Sequence, residues 1–347
     1  MSSFAILLSL LMLSFIVTSL VIVPFIDLLY KLKFQRAQQI TRDVFGKLTP
    51  IFDKFHKTKA GVPVGGGLLV IGVVATLFAL ILPVLEATGT EVTSVYANMP
   101  SEVGILFFTF LSFGLLGLYD DIKKFFGFKQ TGLFGLRAKH KLILEIFLGL
   151  IISSVLYFDL GISILHIPFI ATLELGPFFI PFATFTIVSF ANAVNITDGL
   201  DGLASGVLMI SLFGLWFLSA TILDIPLSVF LALWIGSLIS FLYFNVFPAR
   251  VFMGDVGSLS FGATLAVVGL LLGKVIALIV IGFIFVLEIS TVLAQLASKK
   301  YRHKKIMPAA PLHLTLQQHG WGEPKIVQRA WLVQIMLTLF GVWLAVL

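Results

Sequence analysis

Five aspartates stand in three short polar stretches of an otherwise apolar chain: Asp120 and Asp121 in YDDIKK, Asp198 and Asp201 in NAVNITDGLDGLA, and Asp255 in FMGDVGS. Brought together, five carboxylates repel one another unless cations intervene. The chain has no cysteine, which excludes thiolate metal sites and disulfides. Hard oxygen donors of this kind suit Mg2+ or Mn2+, and Mg2+ commonly bridges one or two carboxylates to phosphate oxygens. Asn192, Asn195 and several lysines accompany the acids. Lysines beside a carboxylate–cation centre point to a phosphorylated substrate, because both cations balance phosphate charge.

Each stretch also has a plainer reading. Asp120 and Asp121 read equally as a solvated helix end before a basic flank. Asp198 and Asp201, three residues apart, share a helical face. Asp198 also suits a helix N-cap, with Gly199 and Gly202 serving close packing. Asp255 suits the cap of the helix after it. GVPVGGG lacks the Gly-Lys-Ser/Thr of a Walker loop, so its glycines are expected to pack helices, and Lys59 before them is the residue of interest. Glu288, the one acid deep in an apolar segment, is expected to be a neutral carboxyl bonded to a neighbouring helix. His56, His140, His166 and His303 have no ligand spacing.

The elements that must carry these stretches are membrane helices. Of 347 residues, 59% are hydrophobic and 12% charged, far from the balance of a soluble domain. Ten segments of roughly 20 apolar residues follow: about 4–30, 66–85, 103–119, 141–158, 178–196, 202–222, 226–246, 258–272, 275–297 and 329–347. The first is too long and lacks the basic start of a cleavable signal. The expected fold is an all-α, polytopic membrane protein forming one domain over residues 1–347, without soluble domain or internal repeat.

Alternating connections divide the charge sharply. Loops 31–63, 120–141, the turn with Arg250, and 299–329 hold every lysine and arginine except Lys274. By the positive-inside rule these loops face the cytoplasm, and both chain ends are expected outside. All the polar stretches then meet on one face of the bilayer, although they span about 260 residues of chain. A charge inside the hydrocarbon is costly, so Asp198 and Asp201 are expected to line a cleft there. The net charge of +6 reports this topology rather than a nucleic-acid partner. The run KKYRHKK reads as the positive-inside anchor, with a secondary role in attracting anionic lipid heads. The opposite connections carry Glu86, Glu91, Glu102, Asp159, Glu174 and Asp224 and show no motif.

Taken together, KAGVPVGGG, YDDIKK, NAVNITDGLDGLA, RVFMGDVGSLSFG and HGWGEPKIVQRAW resemble the polyprenyl-phosphate N-acetylhexosamine-1-phosphate transferase superfamily, in order, from about residue 54 to 331. GWGEPKIVQRAW favours its muramoyl branch. The resemblance implies transfer of phospho-N-acetylmuramoyl-pentapeptide from its UDP-linked donor to undecaprenyl phosphate. It implies lipid I and UMP as products, Mg2+ dependence, and an active site on the cytoplasmic side of the bacterial inner membrane. By the same likeness Asp120 and Asp121 belong to the aspartate-rich motif, Asp120 being the base on the lipid phosphate. Asp255 matches the principal Mg2+ ligand, with Asp120 and Asp121 beside it. Asn192, Asn195, Asp198 and Asp201 match the nucleotide-side motif, and Gly199, Leu200, Phe252 and Gln295 the uridine contacts. Lys59, Lys124 and Lys141 match lysines around the phosphates.

Two departures bear on donor recognition. PLHLTLQQ keeps only His313, matched to a catalytic position, of three successive histidines usual in the branch; Leu314 and Thr315 follow it. Val62, Pro63 and Val64 replace a usual Thr-Pro-Thr. The nearer alternative is a relative that uses UDP-N-acetylglucosamine, and the distant one a transporter. A transporter is expected to carry its acids near the midplane between internal repeats. A second copy of the chain, forming a homodimer, is a further candidate partner.

Overall fold

Backbone polar groups have no water to bond in hydrocarbon, so a long apolar run crosses it as a helix. The computed structural model describes residues 3–35, 59–126, 136 and 138–347. Arg36, Arg42, Lys47, Lys54, His56, Lys57, Lys129 and Arg137 lie outside the described residues. Long helices are α1 (Ser3–Lys31), α2 (Gly66–Ala87), α3 (Met99–Phe126), α4 (Ala138–Phe158), α5 (Phe179–Thr197), α6 (Leu203–Thr221), α7 (Ile225–Asn245) and α8 (Gly254–Leu271). After them come α9 (Val275–Ile281), α10 (Phe283–Tyr301), the short α11 (Leu312–Gln318) and α12 (Glu323–Val346).

Among the described residues nine helices are long and apolar enough to cross a membrane, and ten if α9 and α10 count as one span. The chain is a multi-pass membrane protein. The segment expected at 275–297 is not straight, because α9 and α10 bend by 82° at Gly282. A Cβ on Gly282 would stand 2.7 Å from the Phe190 ring, so the break sits where α5 presses close.

α8 is buried along its length and forms the axis of the bundle, whereas α1, α4 and α12 turn mostly apolar side chains outward. Glycines let neighbouring backbones come close to α8. A Cβ on Gly117 of α3 would lie 2.1 Å from the Asp255 carbonyl oxygen, and one on Gly67 of α2 would lie 2.2 Å from Gly257 Cα. α1 is held to α7 by hydroxyls: Ser14 to the Leu233 carbonyl at 2.6 Å, Thr18 to Ser237 at 2.8 Å and Ser19 to Ser240 at 3.0 Å. Small and hydroxylated residues are the usual adhesive where lipid removes the hydrophobic drive between helices.

The connections away from the lysine-rich face are more ordered than their composition suggests. β1 (Ile164–Ile167) and β2 (Ala171–Glu174) form an antiparallel hairpin with Ile164 opposite Glu174. Glu102 is wholly buried and accepts from Ser94 Oγ at 2.5 Å. Asp224 caps α7 by accepting from the Leu227 N–H at 3.1 Å.

Candidate active site

Lysine and aspartate three and four residues apart on α3 put Asp120, Asp121 and Lys124 on one face, pointing at the start of α8. Lys124 Nζ lies 3.1 Å from Asp120 Oδ2 and 2.7 Å from Asp255 Oδ2. Lys141, from the first turn of α4, lies 2.7 Å from the same Asp255 oxygen and 3.5 Å from Asp120 Oδ2. Two ammonium groups are therefore shared between two carboxylates. Asp120 Oδ1 accepts from the Leu136 N–H at 2.7 Å, and Asp121 Oδ2 from the Val256 N–H at 3.1 Å. Asp255 lies within the first turn of α8, whose N-cap is Met253, so it is no capping residue. Its carboxylate instead faces the positive end of the helix.

The strand-like backbone before α2 fixes the α8 entrance. Phe252 donates its N–H to the Pro63 carbonyl at 2.9 Å, and its own carbonyl accepts from Gly65 at 3.0 Å and Gly66 at 2.8 Å. Gly254, at φ 78°, makes the turn that lets α8 begin beside Asp121. A Cβ on Gly66 would stand 2.4 Å from the Phe241 ring, so these glycines serve packing.

The second acidic stretch forms the turn between α5 and α6. Asn195 Nδ2 donates to Ser258 Oγ at 2.7 Å, which ties this turn to α8. The α6 N-cap is Gly202, without a side-chain bond, so neither Asp198 nor Asp201 caps that helix. Asp198 is held above the usual carboxylate range, first by burial and then by the negative charge of Asp255, against the pull of Lys59. Asp201, 5% exposed, is taken up by the fold: Oδ1 meets Lys59 Nζ at 2.7 Å and Oδ2 accepts from the Ala249 N–H at 2.9 Å. Lys59 also meets Glu323 Oε1 at 2.6 Å and the Gly199 carbonyl at 3.1 Å.

Glu323 was not marked by sequence reasoning. Its carboxylate accepts from the Asp201 N–H at 2.5 Å while it pairs with Lys59, so the root of α12 is latched to the acidic turn. Two turns further along α12, Trp331 Nε1 donates to the Gly202 carbonyl at 3.1 Å. A Cβ on Gly206 would stand 2.1 Å from that indole nitrogen, so α6 has a notch for the ring. The glycine of GLDG and the final tryptophan of GWGEPKIVQRAW are thus partners.

His313 sits buried on α11 with Nδ1 3.2 Å from Glu288 Oε2. Glu288 does bond a neighbouring helix, as expected, and the partner is this imidazole. Nε2, buried without a hydrogen-bond partner, points to the place where a Cβ on Gly199 would lie 2.6 Å away.

The Leu200 side chain, 3% exposed, belongs to the core. The Gln295 amide holds the chain beyond α10, donating to the Met307 carbonyl at 2.8 Å and accepting from the Ile306 N–H at 2.9 Å. Asn192 donates to Glu145 Oε2 at 2.5 Å. The Phe252 ring is partly exposed, 5.8 Å from Lys59 Nζ.

Among the described residues no three histidine or acid side chains converge into a metal cage. Asp255 and Asp121, on either side of Lys124, offer one or two carboxylates to a hard cation that takes its remaining ligands from water or phosphate. The site is a strip of alternating carboxylates and ammonium groups on the lysine-rich face, with a buried imidazole at one side. Its two ammonium groups can exchange carboxylate partners for the oxygens of a polyanion.

Residues 103–273 match the model of glycosyl transferase family 4. A phospho-N-acetylmuramoyl-pentapeptide-transferase of Clostridium perfringens (strain SM101 / Type A) is 39% identical over 315 residues, covering 90% of this chain and 89% of the relative. One of Campylobacter curvus (strain 525.92) is 39% identical over 84% of each chain. One of Rickettsia prowazekii (strain Madrid E) is 36% identical over 82% of this chain and 80% of the relative.

Proposed function

Because the chain belongs to the phospho-N-acetylmuramoyl-pentapeptide-transferase family, we propose that it transfers phospho-N-acetylmuramoyl-pentapeptide from the UDP-linked donor to undecaprenyl phosphate, yielding lipid I and UMP. The observation that carries this reading is the sharing of Lys124 and Lys141 between Asp120 and Asp255. Two anionic substrates must meet at phosphorus, and a preformed field of cations offsets their repulsion.

A phosphate oxygen of the lipid attacks the β-phosphorus of the donor, and the bond from that phosphorus to the bridging oxygen breaks, releasing UMP. Lys124 and Lys141 exchange carboxylate partners for phosphate oxygens as the substrates enter. Asp120, held by the Leu136 N–H, takes the remaining proton of the lipid phosphate. The turn at Asn195–Asp201 and His313 flank the donor side, and Lys59 keeps that turn in shape. The donor set fits Mg2+, with Asp255 and Asp121 as protein ligands. When bound it would supply charge neutralisation on the pyrophosphate and the leaving UMP.

The bacterial relatives support a location in the bacterial inner membrane, and the asymmetry of basic residues supports an orientation with this face in the cytoplasm, where a soluble nucleotide meets a lipid nucleophile. The test is to supply purified protein with Mg2+, undecaprenyl phosphate and either UDP-N-acetylmuramoyl-pentapeptide or UDP-N-acetylglucosamine. Lipid-linked product and UMP from the first donor alone are expected. Product from the second alone would assign the chain to the N-acetylglucosamine branch.

A further inference from the structure

The segment HGWGEPKIVQRAW carries three side chains used neither by the charge strip nor by the α12 latch. Lys325 Nζ lies 4.7 Å from the centre of the Trp321 ring, and the Arg329 guanidinium carbon lies 4.6 Å from it. Both cations are exposed and stand four residues apart on α12, where like charges repel. Among the described residues neither forms a salt bridge. Glu323, the only acid in α12, is turned away to Lys59 and Asp201. Two cations gathered on one indole, without a carboxylate partner among the described residues, suit an external anion.

Position identifies the anion. Glu323 bonds the donor-side turn, and the Trp321 backbone N–H donates to the Leu316 carbonyl of α11, the helix that bears His313. Six residues of helix from Glu323 to Arg329 span about 9 Å. A pentapeptide attached to the sugar through its N-terminus extends up to about 17 Å. It ends in a carboxylate, and any acidic side chains add more. The patch therefore lies within the peptide's reach of the turn that flanks the donor. Basic residues at helix ends also attract anionic lipid. Continuity with the Glu323–Asp201 contact favours the donor.

We propose that Trp321, Lys325 and Arg329 form the subsite for the peptide carboxylates of the donor. The proposal rests on the transferase reading above. It also gives GWGEPKIVQRAW a physical role, with one half holding the acidic turn and the other reading the part of the donor that a simple UDP-sugar lacks.

The test compares wild type with K325Q/R329Q on the native donor and on the same donor with its peptide carboxylates amidated. The double variant should raise KM for the native donor about tenfold with kcat within about twofold, as expected for lost charge-assisted bonds. The amidated donor should give the same KM with both proteins, and K325R/R329K should restore most of the native affinity. An unchanged KM for the native donor, or an equal rise for both donors, would overturn the subsite. A KM defect that instead follows the anionic lipid content of the vesicles would identify a lipid anchor and also overturn it. Wild type inactive on both donors would overturn the transferase reading itself, and the subsite with it.

Discussion

Glu288 Oε2 lies 3.2 Å from His313 Nδ1, and this contact aims the opposite ring nitrogen at Gly199 in the acidic turn. A carboxyl group at Nδ1 selects one orientation of the ring. Glu288→Gln keeps the size of the side chain but replaces the carboxyl group at this contact by an amide. It should lower kcat by at least about tenfold with donor KM within a few-fold, and Glu288→Asp should recover part of the loss. Steady-state kinetics of both variants provide the check. A fall in folded yield with unchanged kcat in the remaining enzyme would reduce Glu288 to a packing role.

The Glu323 latch makes a prediction about stability. Glu323→Ala removes one of two acids from Lys59 and leaves the Asp201 N–H without its acceptor. Thermal unfolding in detergent should show a loss of about 1–3 kcal/mol, the range for buried bonds to charged groups. Donor affinity should fall as well, because the turn loses one of its two ties to α12 and keeps only the Trp331–Gly202 bond. A variant as stable as wild type would show that the latch contributes nothing.

Asp198 makes a prediction about pH. Burial and the Asp255 charge raise its pKa in the fold above the unfolded value, so folding favours its protonated form. The associated stability is present in full below about pH 4 and is lost as pH rises through the raised value. Without donor, wild type should therefore lose melting temperature with rising pH more steeply than Asp198→Asn, which stays neutral throughout. Parallel melting curves across the pH range would contradict this account of the turn.

Much of the architecture was legible because its signals are local. Apolar runs of bilayer length and a one-sided distribution of lysine and arginine identify the spans without tertiary information. The family likeness was legible for the same reason, since each motif is contiguous. What escaped depends on contacts between distant residues. Glu323 meets the Asp201 backbone across 122 residues, and Trp331 meets Gly202 across 129. The 82° bend at Gly282 escaped because a lone glycine in an apolar run is usually tolerated, and only the approach of Phe190 marks it as a break. The family likeness assigns Asp201 to the nucleotide side and Gln295 to the uridine contacts, and both also bond backbone groups that sequence spacing does not reveal. The hairpin at 164–174 is too short and too apolar to stand out between two spans.

The central claim is that the strip of Asp120, Lys124, Lys141 and Asp255 is where phosphoryl transfer takes place. Single-turnover UMP release by Asp255→Asn, measured beside calorimetric binding of the UDP-linked donor, tests it most directly. The account predicts a rate lower by about a hundredfold or more, with donor affinity within a few-fold, and complete loss of transfer by wild type in EDTA until Mg2+ is restored. Near-normal UMP release by Asp255→Asn, or by wild type in EDTA, would contradict it.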